Sequence, residues 1–302
     1  MCVAGRCIGQ PLNDAGTAPV NGFNASMTPT PLQIYPVRAA VQTHRFDLIA
    51  ALDDALTVSG VKLADGDVLA VSSKYTAISE GRIVDLADVV PSEDAERVAA
   101  QYNMNPKMAQ LVLENAEHVF GGIQLGFLLT HVHGIISPNA GLDRSNIPSG
   151  QVVLFPADPY GKAAWIRAQV RARFGADVGV ILTDSWLVPG RWGTTGIALA
   201  TAGFRPVADE RGKADLFGNP MQVTQRGVAD SLCVAAQLVM GERDEATPFA
   251  VIRNSGVLIE EIALSAADVS IPWDMCIYVE SLTIGALRLG LTNGLPALRP
   301  VV

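Results

Sequence analysis

Charge is scarce in this chain, and basic charge is scarcest. Asp, Glu, Lys and Arg make up 17% of its 302 residues, with 22 basic against 30 acidic side chains and a net charge of −8. No basic block occurs. Nucleic-acid affinity comes mostly from neutralised phosphates, so nucleic acid is excluded as a partner. Phosphate can still be held locally, through metal ions and backbone N–H groups. Long hydrophobic runs are also missing. No window approaches the ~18 consecutive apolar residues of a membrane span, so no membrane partner is expected. Cysteine is sparse: Cys2, Cys7, Cys233 and Cys276 are too few for a disulfide scaffold of this length. They read as reduced thiols, which predicts a cytoplasmic protein. The N-terminus lacks a secretory pattern, because Gln10, Asn13 and Asp14 follow Arg6 where an apolar segment would stand.

Several chemical signatures are absent too. There is no G-x-x-x-x-G-K-[ST] loop, no G-x-G-x-x-G fingerprint, no G-x-S-x-G elbow and no H-E-x-x-H pair. Histidine occurs at positions 44, 118, 131 and 133 only. The spacing His131-Val132-His133 puts two imidazoles on one face of a strand. Without a nearby third ligand, a structural role outweighs metal ligation for that pair.

Apolar residues make up 49% of the chain, enough for a sizeable core. Residues 1–30, rich in Gly, Pro, Asn and Thr, read as a mobile extension, or as the product of a start codon placed too early, with Met27 as the true start. Residues 31–302 read as one domain with two lobes. Helical spacing appears over Phe46–Thr57, Ser92–Ala100, Pro106–Ala116 and Val228–Met240. Ser92 is an N-cap; Asp158 opens a helix that Gly175 stops, with Arg167, Arg171 and Arg173 toward its end. Short apolar runs at Val68–Ser73, Leu128–His131, Val152–Phe155, Val178–Thr183 and Phe249–Ile252 predict strands. The alternation lacks the even rhythm of a doubly wound sheet. The expected class is α+β, with mixed sheets.

Four segments carry chemical groups. Ser137–Asn146 is dense in small and polar residues, among them Asp143, Arg144, Ser145 and Asn146. It offers a hard oxygen ligand and a phosphate fork, although composition alone favours an Asx-rich turn. Thr183-Asp184-Ser185 sits at the predicted end of a buried strand, as a cation site or equally as a cap. After it comes the Gly-rich loop Pro189–Gly196, with Arg191. Val71-Ser72-Ser73-Lys74 ends another strand and contains one of only five lysines. Met240–Glu245 closes an Ala-rich helix and by itself reads as a solvated charge run.

Together, and in this order, these segments resemble the coenzyme F420-0:γ-glutamyl ligase family from about Gln33 to about Ile252. The resemblance rests on Ser72-Ser73-Lys74 with Glu80-Gly81-Arg82, and on Asn139-Ala140-Gly141-Leu142-Asp143-Arg144-Ser145-Asn146. It continues through Thr183-Asp184-Ser185, Gly196–Gly218 with Asp215-Leu216-Phe217-Gly218, and Val239-Met240-Gly241-Glu242. It implies a two-lobed α+β subunit in an intertwined homodimer. It also implies a ligase that joins L-glutamate in γ-linkage to a carboxylate on a deazaflavin precursor, using GTP and two divalent cations, Mg²⁺ or Mn²⁺. By the same resemblance Asp143 and Asp184 are metal ligands, and Ser185 holds a second metal where the family has threonine. Ser72, Ser73, Lys74, Asn146, Met240, Gly241 and Glu242 contact the nucleotide. Two features depart from the deazaflavin branch: Ala77-Ile78-Ser79 lacks a second lysine, and the loop after Asp184 reads Arg191-Trp192-Gly193. That loop, with Asp215–Gly218 and Glu245–Pro248, is similar to a sister branch, the folate γ-glutamate ligases, so a pterin acceptor stays open, as does ATP in place of GTP.

Amide formation from a carboxylate is uphill in water, so the acceptor must be activated. The expected route is an acyl phosphate, with Arg144, Arg191 or Lys74 supplying positive charge beside the metal ligands. A metal-dependent nucleotide phosphohydrolase is the alternative on the same residues.

Overall fold

The computed structural model describes residues 30–280, and the unit described below starts at Leu32. The expected extension therefore lies outside the described residues, apart from its last position. The centre is a five-stranded mixed sheet. In spatial order it runs β1 (Gln33–Val37), β12 (Phe249–Arg253), β2 (Val68–Ser72), β8 (Gly179–Leu187) and β9 (Thr194–Ala202). Only the β2–β8 pair is parallel; the other three are antiparallel.

The alternation along these strands dictates two helical layers. Leu69 and Val71, Val180 and Leu182, and Phe249 and Val251 face one way. They pack on α1 (Leu48–Ser59) and α5 (Pro159–Phe174) through Leu52, Leu56, Ile166 and Val170. Val68, Ala70, Ile181, Ala250 and Ile252 face the other way, onto α6 (Val228–Met240) through Leu232, Cys233 and Ala236. Each fully buried Leu, Ile or Val contributes about 1.5–3 kcal/mol of transfer free energy. The helix signals hold. Asp158 accepts from the Gly161 N–H at 3.0 Å, and Ser92 caps α3 (Glu93–Tyr102). Such caps are worth about 1 kcal/mol.

The segment between β2 and β8 builds smaller layers. These are α2 (Ser73–Glu80), the α3–α4 pair with α4 (Pro106–Asn115), and the two-stranded β3 (Ile83–Asp85) with β7 (Gln151–Val153). The meander β4 (His118–Ile123), β5 (Phe127–Val132) and β6 (Ile135–Pro138) completes them. After β9, β10 (Val207–Asp209) and β11 (Gln225–Gly227) form a hairpin arm on which Leu216 and Phe217 stand about nine-tenths exposed.

The structure corrects the histidine spacing. β5 ends at Val132, and His133 turns out of the strand at φ 51°, so the two imidazoles do not share a strand face. His131 Nδ1 instead lies 2.9 Å from a Glu117 carboxylate oxygen, and its ring packs on Trp273. Among the described residues no group of three or more His, Cys, Asp or Glu side chains is set for metal binding, and no helix is long and apolar enough to cross a membrane.

Candidate active site

The site is built at the C-terminal ends of the parallel pair. β2 is apolar to Val71, and Ser72 then caps α2 with no loop between, its Oγ accepting from the Tyr75 N–H at 3.3 Å. The register pairs Ser72 with Thr183, which sets Asp184 beside the first residue of α2. Ser73, 2% exposed, donates its hydroxyl to Asp184 Oδ2 at 2.6 Å, and the Ser185 N–H donates to Asp184 Oδ1 at 2.8 Å. β8 does not end at Asp184 as its sequence suggests. It runs on to Leu187, because Trp186 is buried in the core and the pairing with β9 continues. Asp184 is thus held mid-strand, with no ion-pair partner among the described residues. Burial pushes its carboxyl up to about 6, the negative charge of Asp143 adds to the rise, and the Ser73 and Ser185 hydrogen bonds oppose it.

The second wall comes from the Asn139–Asn146 block, whose two halves do different work. Asn139 Oδ1 accepts from the Leu128 N–H at 2.8 Å, and the Ala140 N–H donates to Thr130 Oγ1 at 2.8 Å. Gly141 stands at φ 71° against Phe155, and a Cβ there would fall inside the phenyl ring. This half fastens the loop to β5. The other half faces the cleft. Asp143 exchanges backbone hydrogen bonds with Val153, and its Oδ1 accepts from the Ser145 N–H at 2.7 Å. Its Oδ2 pairs with Lys74 Nζ at 2.7 Å. Burial alone would raise Asp143; the Lys74 ammonium and the Ser145 hydrogen bonds outweigh it and hold the carboxyl below the usual range. The Lys74 ammonium also donates to Ser145 Oγ at 2.7 Å and to Ser145 O at 3.0 Å, so it is not a solvated lysine.

The third wall follows α6. Met240, Gly241 and Glu242 turn into Arg243–Pro248, and this stretch lines the cleft rather than standing in solvent as a charge run. Glu242 accepts from Thr194 Oγ1 at 3.1 Å and from the Gln237 amide, which ties the turn to β9 and α6. The Ala246 carbonyl accepts from the Ala39 N–H at 3.0 Å, and the Tyr75 hydroxyl donates to the Ala40 carbonyl at 3.0 Å.

The result is a cleft of about 500 Å³. It brings together Ser72, Lys74, Asp143, Asn146, Asp184, Ser185, Met240, Gly241 and Glu242, with Ser73 directly behind Asp184. Two expected residues do not line it. Arg144 is exposed and absent from the lining, and Arg191 lies in the exposed tip between β8 and β9. That tip is shorter than the Gly-rich loop its sequence suggests. Thr194–Gly196 are already in β9, and Gly196 is a packing residue, since a Cβ there would collide with the Cys233 carbonyl of α6. Sequence reasoning missed Ala39–Gln42, Tyr75, Ile78, Ser145 and Gln237 as lining residues. Of these, Ser145 and Ile78 lie in motif segments already named, and Gln237 lies in the helix before the Met240 turn.

Comparison with known proteins bears on the same stretch of chain. The family description F420-0:Gamma-glutamyl ligase matches residues 37–254, from the end of β1 to just past β12. The coenzyme F420:L-glutamate ligase of Methanopyrus kandleri is 36% identical over 202 residues, covering 66% of this chain and 79% of that protein. The protein of the same name from Halobacterium salinarum is 39% identical over 215 residues, 68% and 83% of the two chains. That of Archaeoglobus fulgidus is 35% identical over 227 residues, 75% and 89%. The match spans all three walls of the cleft, and the chain belongs to the F420-0:γ-glutamyl ligase family of carbon–nitrogen bond-forming enzymes.

Proposed function

We propose that this enzyme joins L-glutamate in γ-linkage to the carboxylate of a deazaflavin coenzyme precursor, at the expense of GTP and with divalent cations bound. The observation that supports it best is the charge of the cleft. Five carboxylates (Asp143, Asp184, Glu242, Asp244 and Glu245) line it against two cationic side chains, Lys74 and Arg243. A nucleotide triphosphate entering alone would meet net repulsion. Hard cations on oxygen donors reverse that sign, and the donor set of Asp143, Asp184 and Ser185 suits Mg²⁺ or Mn²⁺. When bound, such ions would neutralise charge on the transferring phosphoryl group.

The chain's own residues have definable tasks. Ser73 fixes the Asp184 carboxylate, so that a free oxygen lone pair faces the cleft. Lys74, Asn146 and the Met240–Glu242 turn bound the space a nucleotide would fill, with Ser72 at its base. The acceptor carboxylate attacks the γ-phosphorus and the nucleoside diphosphate leaves. The glutamate amine then attacks the acyl carbon, loses a proton and expels phosphate. Because the cleft is walled on three sides, water competes poorly for the acyl phosphate. The exposed Leu216 and Phe217 on the β10–β11 arm support a homodimer of two-lobed subunits in which the arms are covered.

The deciding assay supplies Mg²⁺ or Mn²⁺ and GTP or ATP, with and without glutamate, across deazaflavin and folate acceptors, and reads products by mass. The expected result is a gain of one glutamate residue on the deazaflavin precursor with GTP. A gain on the folate acceptor alone would move the enzyme to the sister branch. Nucleotide turnover with no mass gain would make it a phosphohydrolase.

A further inference from the structure

The Lys74 side chain is doing something a nucleotide-facing lysine has no need to do. Its ammonium lies 2.7 Å from Asp143 Oδ2, 2.7 Å from Ser145 Oγ and 3.0 Å from Ser145 O. Three oxygens from one loop converge on a single positive charge. A carboxylate, a hydroxyl and a main-chain carbonyl are the donors a hard divalent cation takes. The Asp143 turn shapes this nest. The Ser145 N–H is spent on Asp143 Oδ1 at 2.7 Å, which leaves the two Ser145 oxygens facing Lys74. α2 supplies the lysine from directly behind, one residue after the Ser73 that holds Asp184.

We propose that the Lys74 ammonium is a resident counter-ion occupying a divalent-cation position, that Ser145 completes the ligand set there with Asp143, and that the metal enters only as Lys74 leaves. The proposal rests on the metal-dependent reading above and adds to it a ligand, Ser145, and an order of events. A divalent ion arriving at Asp143 Oδ2 is repelled by the ammonium already 2.7 Å from that oxygen. Metal affinity in the absence of nucleotide is therefore held down by the lysine. The displaced ammonium gains a new partner only when a polyphosphate is present, so cation and nucleotide bind with positive coupling.

The test measures Mn²⁺ binding by electron paramagnetic resonance to the full chain without nucleotide. Wild type is compared with Lys74→Met, Lys74→Arg and Ser145→Ala, with a thermal melt confirming that each is folded. Lys74→Met should bind Mn²⁺ at least tenfold more tightly than wild type, Lys74→Arg should stay near wild type, and Ser145→Ala should bind several-fold more weakly. An independent reading needs no variant. Reductive methylation of Lys74, followed by mass spectrometry, should speed up when Mn²⁺ is added to wild type. Unchanged or weaker binding by Lys74→Met, or Lys74 labelling indifferent to Mn²⁺, would overturn the displacement. Unchanged binding by Ser145→Ala would remove Ser145 from the ligand set. If wild type and Lys74→Met both fail to bind Mn²⁺ even with a non-hydrolysable GTP analogue added, the metal-dependent reading itself falls. If wild type binds and Lys74→Met binds no better, only the present inference does.

Discussion

The two ends of the β2–β8 pair treat their carboxylates in opposite ways. At the end where both strands begin, Asp67 is buried and grips the Arg253 guanidinium with both oxygens, at 2.8 and 2.7 Å. It also accepts from the Ala64 N–H at 2.9 Å. Beside it, Arg167 bonds Asp177 at 2.8 Å, Glu261 at 2.7 Å and the Val178 carbonyl at 3.0 Å. Asp67, Arg253, Arg167, Asp177 and Glu261 are all paired there. At the end where the strands emerge from the core, Asp184 has only a hydroxyl and an N–H, and the Lys74 ammonium is committed to Asp143. The same pair of strands carries a sealed end that stabilises the sheet and an open end where carboxylates outnumber cations. Incomplete electrostatic satisfaction at a rigid position marks the end built to receive something.

That contrast is broken most directly by neutralising the carboxylates one at a time. Asp184→Asn keeps the shape and the Ser73 contact, so the thermal midpoint should hold or rise slightly. Ligation should fall by about a thousandfold, as expected when charge stabilisation of a phosphoryl transfer is lost. Asp143→Asn should behave alike in steady-state assays. Asp67→Asn should do the reverse. It takes the countercharge from the part-exposed Arg253, which keeps the Lys62 carbonyl, and should cost about 2 kcal/mol in urea unfolding, while the folded fraction keeps its turnover number. The smallest effect comes from Glu261, which Arg167 and Arg171 hold down to about 2, against an ordinary value of 4.5. A depressed carboxyl contributes stability above its unfolded pKa and loses it as pH falls toward the folded one. The Glu261 share of the stability should therefore be constant from pH 7 to 5 and be lost between about 4.5 and 2. Because the group is exposed, Glu261→Gln should flatten only a shallow part of that decline.

The sequence spoke clearly where a local rule was enough. The Asp158 and Gly175 caps bound α5, and α6 matches its periodic run at both ends. α2 was not foreseen, because nearly every side is buried: Ser73, Tyr75, Thr76, Ala77, Ile78 and Ser79 all face protein, so no polar stripe gives the helix away. The site residues stood out through their motifs, and most of them meet in the cleft. Arg144 and Arg191 did not follow, since charge and proximity in sequence say nothing about which side of a turn a side chain takes. The wall formed by Ala39–Gln42 has no chemical signature of its own. It is a wall because the Tyr75 hydroxyl and the Ala246 carbonyl draw it in, and both come from distant parts of the chain.

The sheet order has a consequence for synthesis. β12, formed by Phe249–Arg253, lies between β1 and β2, so one of the last segments of this unit to be made is inserted between its first two strands. During translation β1 has no neighbour in the sheet, and β2 lacks one of its two, until residue 253 has left the ribosome. Closing a sheet across more than two hundred residues of intervening chain is slow. The Ser72 N–H, which donates to the Pro248 carbonyl at 2.8 Å, finds its partner only at that step. The base of the cleft is therefore finished last, and a nascent or truncated chain that stops short of β12 lacks a complete cleft.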